Sequence, residues 1–130
     1  MKYRLMDILA CPICKHFPLK LIVIKENQYP QRKIEIEEKP LCELYCGFFR
    51  KYIKEVKETP CEECIKKEVD IGILICEKCN RWYPILDEIP RMLPDDLRSK
   101  NEDITFLKKY KSYIPEEILV NGKPFNLKNI

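Results

Sequence analysis

The sequence has little glycine and histidine, with three Gly and one His among 130 residues. Phosphate-binding loops need several glycines at fixed spacing, and general acid–base catalysis most often uses histidine. No Ser-His-Asp set and no paired-carboxylate motif is present either. These absences leave little with which to carry out catalysis, and we expect that the protein is not an enzyme.

Long apolar runs are also lacking, since no stretch approaches the roughly 18 residues of a membrane span. Arg4, Asp7 and Lys15 interrupt the N-terminal segment, which therefore does not have the pattern of a signal peptide. We expect a cytoplasmic protein with no membrane partner. The 24 basic and 21 acidic residues nearly balance, and a net charge of +3 does not by itself favour nucleic-acid binding.

Eight cysteines are present, and four of them form two Cys-x-x-Cys motifs, Cys11 with Cys14 and Cys76 with Cys79. Apolar, β-rich runs flank each motif, as they do in the two knuckles of a zinc ribbon. Four thiolates complete a tetrahedral Zn²⁺ shell with no position left for water, which is a structural rather than a catalytic site. The alternative is a redox dithiol, but that chemistry is typical of a βαβ setting that neither motif has.

The other four cysteines fall between these motifs at spacings that suit a helix face, and they are Cys42, Cys46, Cys61 and Cys64. Three interpretations stay open: a second zinc site, two disulfides, or four buried free thiols. Cytosolic cysteine pairs more often bind metal than form disulfides. However, the abundance of Lys, Glu and Ile resembles hyperthermophile proteins, in which intracellular disulfides do occur.

The chain divides into three parts by its sequence pattern, and we expect an α+β fold. Residues 1–25 and 71–94 are predicted to form a small, zinc-ribbon-like β-sheet domain. Residues 26–70 are predicted to be an inserted module that is mainly helical. Residues 95–130 are predicted to be a C-terminal helical tail.

The insert is predicted to contain a helical hairpin over residues 40–68. An apolar stripe at helical spacing indicates the first helix, and a capping box over residues 59–62 starts the second. The stripe consists of Leu41, Tyr45, Phe48, Tyr52 and Val56. Before the hairpin, the β-rich run 19–24 is predicted to pair with residues 34–36, where Ile alternates with Glu.

A short apolar segment, residues 89–93, follows the second knuckle after a turn at Asp87-Glu88. It contains Pro90 and is followed by Pro94, and proline is tolerated at sheet edges but not in central strands. We interpret the segment as a sheet edge without internal cover, which is suited to adding a strand to a partner protein. The alternative is that the tail folds back over this edge.

The rival interpretation is a nucleic-acid-binding zinc ribbon. Trp82 and Tyr83 could stack on a base, and nearby basic residues could contact phosphates. These basic residues are Lys15, Lys20, Lys78 and Arg81. We favour the simpler interpretation, in which the aromatic side chains pack beside the knuckle and the lysines are solvated. His16 could enter a metal shell, but four cysteines already fill one, and we expect it at the surface.

Two stretches, LMDILACPICK at 5–15 and GILICEKCNRWYPILDEIPRML at 72–93, carry a specific resemblance. Their order of knuckle, insert, knuckle, Tyr-Pro-Ile and Ile-Pro-x-Met-Leu resembles the small zinc-ribbon activator subunits of tRNA, rRNA and release-factor methyltransferases, in an archaeal-like form. The resemblance implies a noncatalytic subunit that stabilises an S-adenosylmethionine-dependent methyltransferase as a heterodimer. It also implies that S-adenosylmethionine is bound only through the enzyme and RNA is contacted only indirectly.

In this family the segment after the second knuckle pairs with the edge of the enzyme's sheet and covers an apolar patch. By resemblance, the partner-binding residues are Ile85, Leu86, Ile89, Pro90, Met92 and Leu93. We would place the side chains of Ile89, Met92 and Leu93 in the pockets of the partner. The four extra cysteines of the insert and the long tail lie outside the resemblance.

Overall fold

The structure, a computed structural model, describes residues 1–33 and 42–128. Within these ranges the strands are β1 (Lys20–Gln28), β2 (Tyr45–Cys46), β3 (Lys51–Tyr52), β4 (Lys67–Ile75), β5 (Trp82–Leu86) and β6 (Ile89–Pro90). The α-helices are α1 (Cys61–Ile65), α2 (Lys100–Lys109) and α3 (Glu116–Asn121). Short 3-10 turns lie at Tyr3–Asp7, Ile53–Glu55, Asp95–Leu97 and Lys111–Tyr113. The fold is therefore α+β, as predicted.

The main sheet has four antiparallel strands in the order β1-β4-β5-β6. Its longest ladder joins β1 to β4, from Lys20 opposite Ile75 to Gln28 opposite Lys67. The predicted pairing with residues 34–36 lies outside the described residues. The central position of β4 explains its continuous apolar run, because its side chains are buried on both faces of the sheet.

Both faces of the sheet are covered, because side chains alternate along each strand. On one face Leu74, Tyr83 and Ile85 pack with the N-terminal 3-10 turn and the first knuckle. On the other face Ile73 and Trp82 pack with the tail helices. The buried tail residues are Phe106, Leu107, Ile114, Ile118 and Leu119. Since each large buried apolar side chain contributes about 1.5–3 kcal/mol, the tail is part of the core rather than an appendage.

The predicted helical tail is confirmed as α2 and α3. Beyond α3, Lys123 lies parallel to Arg81 at the outer side of β5, and its carbonyl accepts a hydrogen bond of 3.2 Å from the Trp82 N–H. No strand of the described ranges pairs with the outer side of β6. Within the described residues the tail therefore pairs with the start of β5 and leaves the outer side of β6 unpaired.

The first helix predicted for the insert is wrong, because the chain from Tyr45 to Tyr52 forms the small hairpin β2–β3 instead. The hairpin contains Gly47, and glycine is a poor residue for a helix interior. It packs so closely on the N-terminal turn that an added Cβ would lie 2.2 Å from the carbonyl oxygen of Tyr3. The apolar stripe reflects this tertiary packing, in which the ring centroids of Phe48 and Tyr3 are 5.2 Å apart.

The second predicted helix is confirmed as α1, although its predicted cap is wrong. Pro60 occupies the N-cap position without a side-chain hydrogen bond, and the hydroxyl of Thr59 instead lies 3.1 Å from the Sγ of Cys61. The entry to the hairpin is fixed by Asp7, whose carboxylate accepts hydrogen bonds of 3.0, 2.7 and 2.8 Å from the backbone N–H groups of residues 43–45. These bonds attach the insert to the N-terminal turn.

Candidate metal centre and sheet edge

Two similar backbone turns present the predicted cysteine ligands. In the first turn the N–H of Lys15 donates to the carbonyl of Cys11 at 2.8 Å, and in the second the N–H of Asn80 donates to the carbonyl of Cys76 at 2.9 Å. Lys15 and Asn80 have φ values of 67° and 61°, which is the left-handed region. This conformation reverses the chain just after each motif, so that both thiols of a motif face the same point.

The four ribbon cysteines converge on one centre. The Sγ atoms of Cys11, Cys14, Cys76 and Cys79 all lie within 4.8 Å of one another, and no other group of three or more ligating side chains in the described part of the chain does so. Two Sγ pairs, Cys14 with Cys76 and Cys11 with Cys79, are 3.4 and 3.7 Å apart. Sulfurs at about 2.3 Å from a tetrahedral zinc ion are about 3.8 Å apart, so the cluster could hold a metal such as zinc.

Hydrogen bonds and burial shift the pKa values of these thiols in opposite directions. Burial acts to raise the pKa of Cys11, but hydrogen bonds from the backbone N–H of Cys14 and from the Tyr83 hydroxyl, 3.3 Å away, lower it to about 6. Burial prevails at Cys76 and raises the pKa of its thiol to about 12. The four thiols therefore do not all ionise by themselves, whereas a divalent cation would stabilise all four thiolates.

Arg81 links this centre to the tail. Its guanidinium donates to the Asp95 carboxylate from Nε and Nη2, at 3.0 and 2.8 Å, and lies near the Cys79 sulfur. These hydrogen bonds raise the pKa of Arg81 and lower that of Asp95. Arg81 therefore balances thiolate charge and anchors the tail, and it is not a free contact for a phosphate.

The two aromatic residues of the nucleic-acid interpretation are inside the protein. Trp82 and Tyr83 are both 0% exposed. The Trp82 ring stacks on Phe106 at a centroid distance of 5.7 Å, and its Nε1 donates to the Phe125 carbonyl at 2.9 Å. Base stacking by these residues is therefore excluded, and the preferred interpretation of buried aromatics is confirmed. Of the other residues considered, Lys15, Lys20 and Lys78 are exposed, and His16 is half-buried.

The four cysteines of the insert lie apart from this centre. None of the eight cysteines forms a disulfide in the structure. The side chains of Cys42, Cys46, Cys61 and Cys64 line one cavity between the N-terminal turn, the β2–β3 hairpin and α1. Their sulfurs are more widely spaced than those of the ribbon, so the structure contains one compact four-cysteine cluster among its described residues.

The segment predicted to bind a partner lies at the outer edge of the sheet. Ile89 and Leu93 are 58% and 42% exposed, whereas Ile85 is fully buried in the N-terminal core. A partner contact is therefore wrong for Ile85, because the alternation of β5 turns its side chain inward. The remaining predicted residues, Leu86, Pro90 and Met92, are half-buried.

Leu97 is an exposed apolar residue that the sequence reasoning missed. It is 63% exposed and lines a groove against α2 together with Leu86 and Leu93. A signal was present in the sequence, since Pro94 is followed by two aspartates that start a turn and leave the next apolar residue at the surface. The apolar surface therefore continues beyond the predicted segment into the tail.

These features define a class of protein, namely a small zinc-ribbon fold with a closed thiolate centre and an apolar sheet edge, built for binding rather than catalysis. The chain belongs to the Trm112p-like protein family, whose model matches residues 2–88. Membership of this family implies a noncatalytic activator of S-adenosylmethionine-dependent methyltransferases. Neither the curated proteins nor the solved structures contain a match to the chain. In the described ranges, no helix has the length and apolar character needed to cross a membrane.

Proposed function

We propose that this chain forms a heterodimer with a methyltransferase that acts on tRNA, rRNA or a release factor. Residues 89–93 add to the edge of the enzyme's sheet and cover an apolar patch there. The enzyme alone binds S-adenosylmethionine, and RNA is reached only through it. The observation that carries the proposal is an outer strand, β6, beside which Ile89 and Leu93 are 58% and 42% exposed.

The backbone of this segment has groups that suit a partner strand. The N–H of Arg91 donates to the Pro84 carbonyl at 2.9 Å, which makes these two residues a hydrogen-bonded pair of the antiparallel ladder. Pro84 has no N–H with which to complete that pair, so the pairing with β5 ends there. By strand alternation, the N–H and C=O of Met92 and the C=O of Pro90 point outwards, where a strand of the enzyme can pair with them.

Apolar side chains beside this backbone would supply the affinity. Leu86, Leu93 and Leu97 line the groove against α2, and Ile89 projects from the edge itself. Full burial of one fully exposed side chain of this kind contributes about 1.5–3 kcal/mol. Ile89 and Leu93 are 58% and 42% exposed, so covering both would contribute about 1.5–3 kcal/mol in total. An apolar patch on the enzyme is therefore the complementary surface.

The β5–β6 turn holds the edge segment in place before a partner binds. Asp87 and Glu88 have φ values of 51° and 68°, and a two-residue type I′ hairpin turn requires positive φ at both positions. The Glu88 carboxylate accepts hydrogen bonds from the Tyr29 hydroxyl at 2.8 Å and the Asn27 amide at 3.2 Å. A segment that is already ordered loses less entropy on binding, which favours association.

The metal centre has a structural role in this proposal. Zn²⁺ held by the four ribbon cysteines would join the N-terminal knuckle to the turn between β4 and β5, and thereby fix the strand to which β6 is paired. Residues 1–25 and 71–94 act as one ribbon unit, residues 26–70 as its insert, and residues 95–128 as a tail that braces the opposite face. The four protein thiolates fill every coordination position of the ion, which leaves no open position for substrate.

The partner is tested by affinity purification of the tagged full chain from its native cells in high salt, with mass spectrometry of the bound proteins. We expect a stoichiometric S-adenosylmethionine-dependent methyltransferase, and its identity would name the substrate. Recovery only of nucleic acid or ribosomes that are lost as salt rises would contradict the proposal and favour a nucleic-acid-binding ribbon.

The interface is tested with the double variant Ile89→Asp, Leu93→Asp and the matched control Tyr113→Asp, an exposed position in the tail (54%). Losing about 1.5–3 kcal/mol of apolar contact corresponds to roughly 10- to 10²-fold weaker binding. The control should bind like the wild type, and the zinc content of all three proteins should be equal. Wild-type affinity in the double variant would show that the edge is not the interface.

A further inference from the structure

The cysteines of the insert share one cavity that the proposed function does not use. The cavity has a volume of about 20 Å³ and is lined by the side chains of all four residues, Cys42, Cys46, Cys61 and Cys64. A cavity needs about 10–15 Å³ to hold one water-sized particle. The space between these side chains is therefore large enough for a single ion.

The turn at Cys46 repeats the backbone geometry of the two ribbon knuckles. The N–H of Arg50 donates to the Cys46 carbonyl at 2.7 Å, and Arg50 has a φ of 58°. The N–H of Phe49 donates to the Cys46 Sγ at 3.5 Å, at the same offset at which Cys14 donates to Cys11. The carbonyl hydrogen bond and the positive φ also accompany the first cysteine of each ribbon motif, so the chain forms this turn three times, each time at a cysteine.

The second pair of cysteines lies across the cavity in the first turn of α1. Cys61 and Cys64 are three residues apart, and the N–H of Cys64 donates to the Pro60 carbonyl at 2.8 Å. The Thr59 hydroxyl lies 3.1 Å from the Cys61 Sγ and can donate to it when that sulfur is a thiolate. The hairpin region and α1 thus each contribute two cysteines to the walls of one cavity.

The charges around the cavity also suit a thiolate site. Lys2 and Arg4 line the same cavity, and four thiolates around a divalent cation leave a net negative charge for them to offset. A cation bound between four thiolates would replace their mutual repulsion by attraction.

The insert needs a stabilising element of this kind. Its hairpin strands have two residues each and α1 has five, whereas isolated helices below about 12–15 residues and lone two-stranded hairpins are marginal in water. Few of its side chains are buried, and two of the buried ones are Cys46 and Cys61. Structural zinc supplies about 10–16 kcal/mol to the folding of small peptides, which is sufficient for such a module.

We propose that Cys42, Cys46, Cys61 and Cys64 form a second, structural four-thiolate site for a divalent cation of the zinc type. The ion draws the four sulfurs from the walls of the cavity into one tetrahedron, and the thiol protons are released to solvent. The site is closed, so it fixes the β2–β3 hairpin to α1 and has no catalytic role. This proposal does not depend on the identity of the methyltransferase.

The test is the metal content of the full chain, purified under reducing conditions with zinc supplied, by native mass spectrometry and elemental analysis. We expect two zinc ions per wild-type chain and one in the Cys61→Ser, Cys64→Ser variant, with the edge-mediated partner binding of that variant retained. After exchange into Co²⁺, the wild type should show twice the thiolate-to-cobalt charge-transfer absorption of the variant.

Three results would overturn the second site. They are one ion per wild-type chain with a mass lowered by disulfide formation, one ion with four alkylatable thiols, and an unchanged two ions in the variant. The count on the wild-type chain decides the question even if the variant does not fold. Failure to capture a methyltransferase would leave the metal count unaffected, so the two proposals fail separately.

Discussion

Arg98 joins the tail to the sheet through a buried ion pair. The side chains of Arg98 and Asp103 are 2% and 7% exposed, and Nη2 lies 2.8 Å from Oδ2. Nη1 donates to the Trp82 carbonyl at 2.7 Å, and the guanidinium carbon lies 4.6 Å from the Trp82 ring centroid. A substitution at Arg98 therefore tests whether the tail is an integral part of the fold.

Arg98→Met keeps an apolar side chain and removes the charge. The Asp103 carboxylate then stays buried without its partner, which costs about 3–5 kcal/mol in other buried ion pairs. We expect a loss of this size in the free energy of unfolding. The double variant Arg98→Met, Asp103→Leu replaces both charges with apolar groups and should recover most of the loss, because no unpaired carboxylate remains.

The pH dependence separates this electrostatic cost from a loss of packing. Burial raises the pKa of Asp103, even though the charge of Arg98 acts to lower it. In Arg98→Met the lowering is absent, so the folded-state pKa rises further above the unfolded-state value. Such a group contributes stability below its unfolded-state pKa and loses it as the pH rises through the folded-state pKa. The deficit of Arg98→Met relative to the double variant should therefore shrink as the pH falls.

The assay is urea unfolding at a fixed free-zinc concentration, followed by the fluorescence of Trp82, the single tryptophan of the chain. A loss below about 1 kcal/mol in Arg98→Met would refute the reasoning, because a broken buried pair costs more than that. A deficit that does not change with pH would show that packing, and not the unpaired carboxylate, is responsible.

Two further predictions concern hydrogen bonds, one at the first knuckle and one at the N-terminal turn. Tyr83→Phe removes the hydroxyl 3.3 Å from the Cys11 Sγ, and we expect about 10- to 100-fold weaker zinc binding in a chelator competition; unchanged affinity would contradict this. Burial acts to raise the pKa of Asp7, but hydrogen bonds from the backbone of residues 43–45 prevail and lower it. The ionised carboxylate therefore stabilises the folded protein above the unfolded-state pKa of about 3.9, and this contribution is lost as the pH falls through the folded-state pKa. The difference in thermal midpoint between wild type and Asp7→Asn should therefore vanish in acid, and a constant difference would refute it.

The metal centre was predictable because its information is local. A Cys-x-x-Cys turn orients its own two thiols, and Lys15 and Asn80 complete the turn from the adjacent position. What the sequence leaves implicit is that the two turns meet, and this follows once residues 20 and 75 are opposite each other in the β1–β4 ladder. The edge was likewise predictable, since proline in and after a short apolar run disfavours a central strand.

The insert was mispredicted because tertiary contacts override its helical pattern. Aromatic residues at helical spacing predict an amphipathic helix, yet Tyr45 and Phe48 pack on the N-terminal turn from a hairpin. Gly47 was the signal in the sequence against a helix, because glycine disfavours a helix interior. The structure shows why glycine is needed there, since an added Cβ would overlap the Tyr3 carbonyl. The burial of Ile85 was missed for a related reason, since only the register of β5 shows which side chains turn inward.

The metal centre and the tail converge on the same short stretch at the start of β5. Cys79 belongs to the thiolate cluster, and Arg81 joins this cluster to Asp95. The Trp82 ring stacks on Phe106 of the tail, and the backbone N–H of Trp82 donates to the Lys123 carbonyl. Strand β6 is paired to the other end of β5, so the edge is displayed only when this stretch is ordered. An enzyme that binds the edge therefore favours the folded, metal-bound chain by mass action, and the stabilisation of activator and enzyme is mutual.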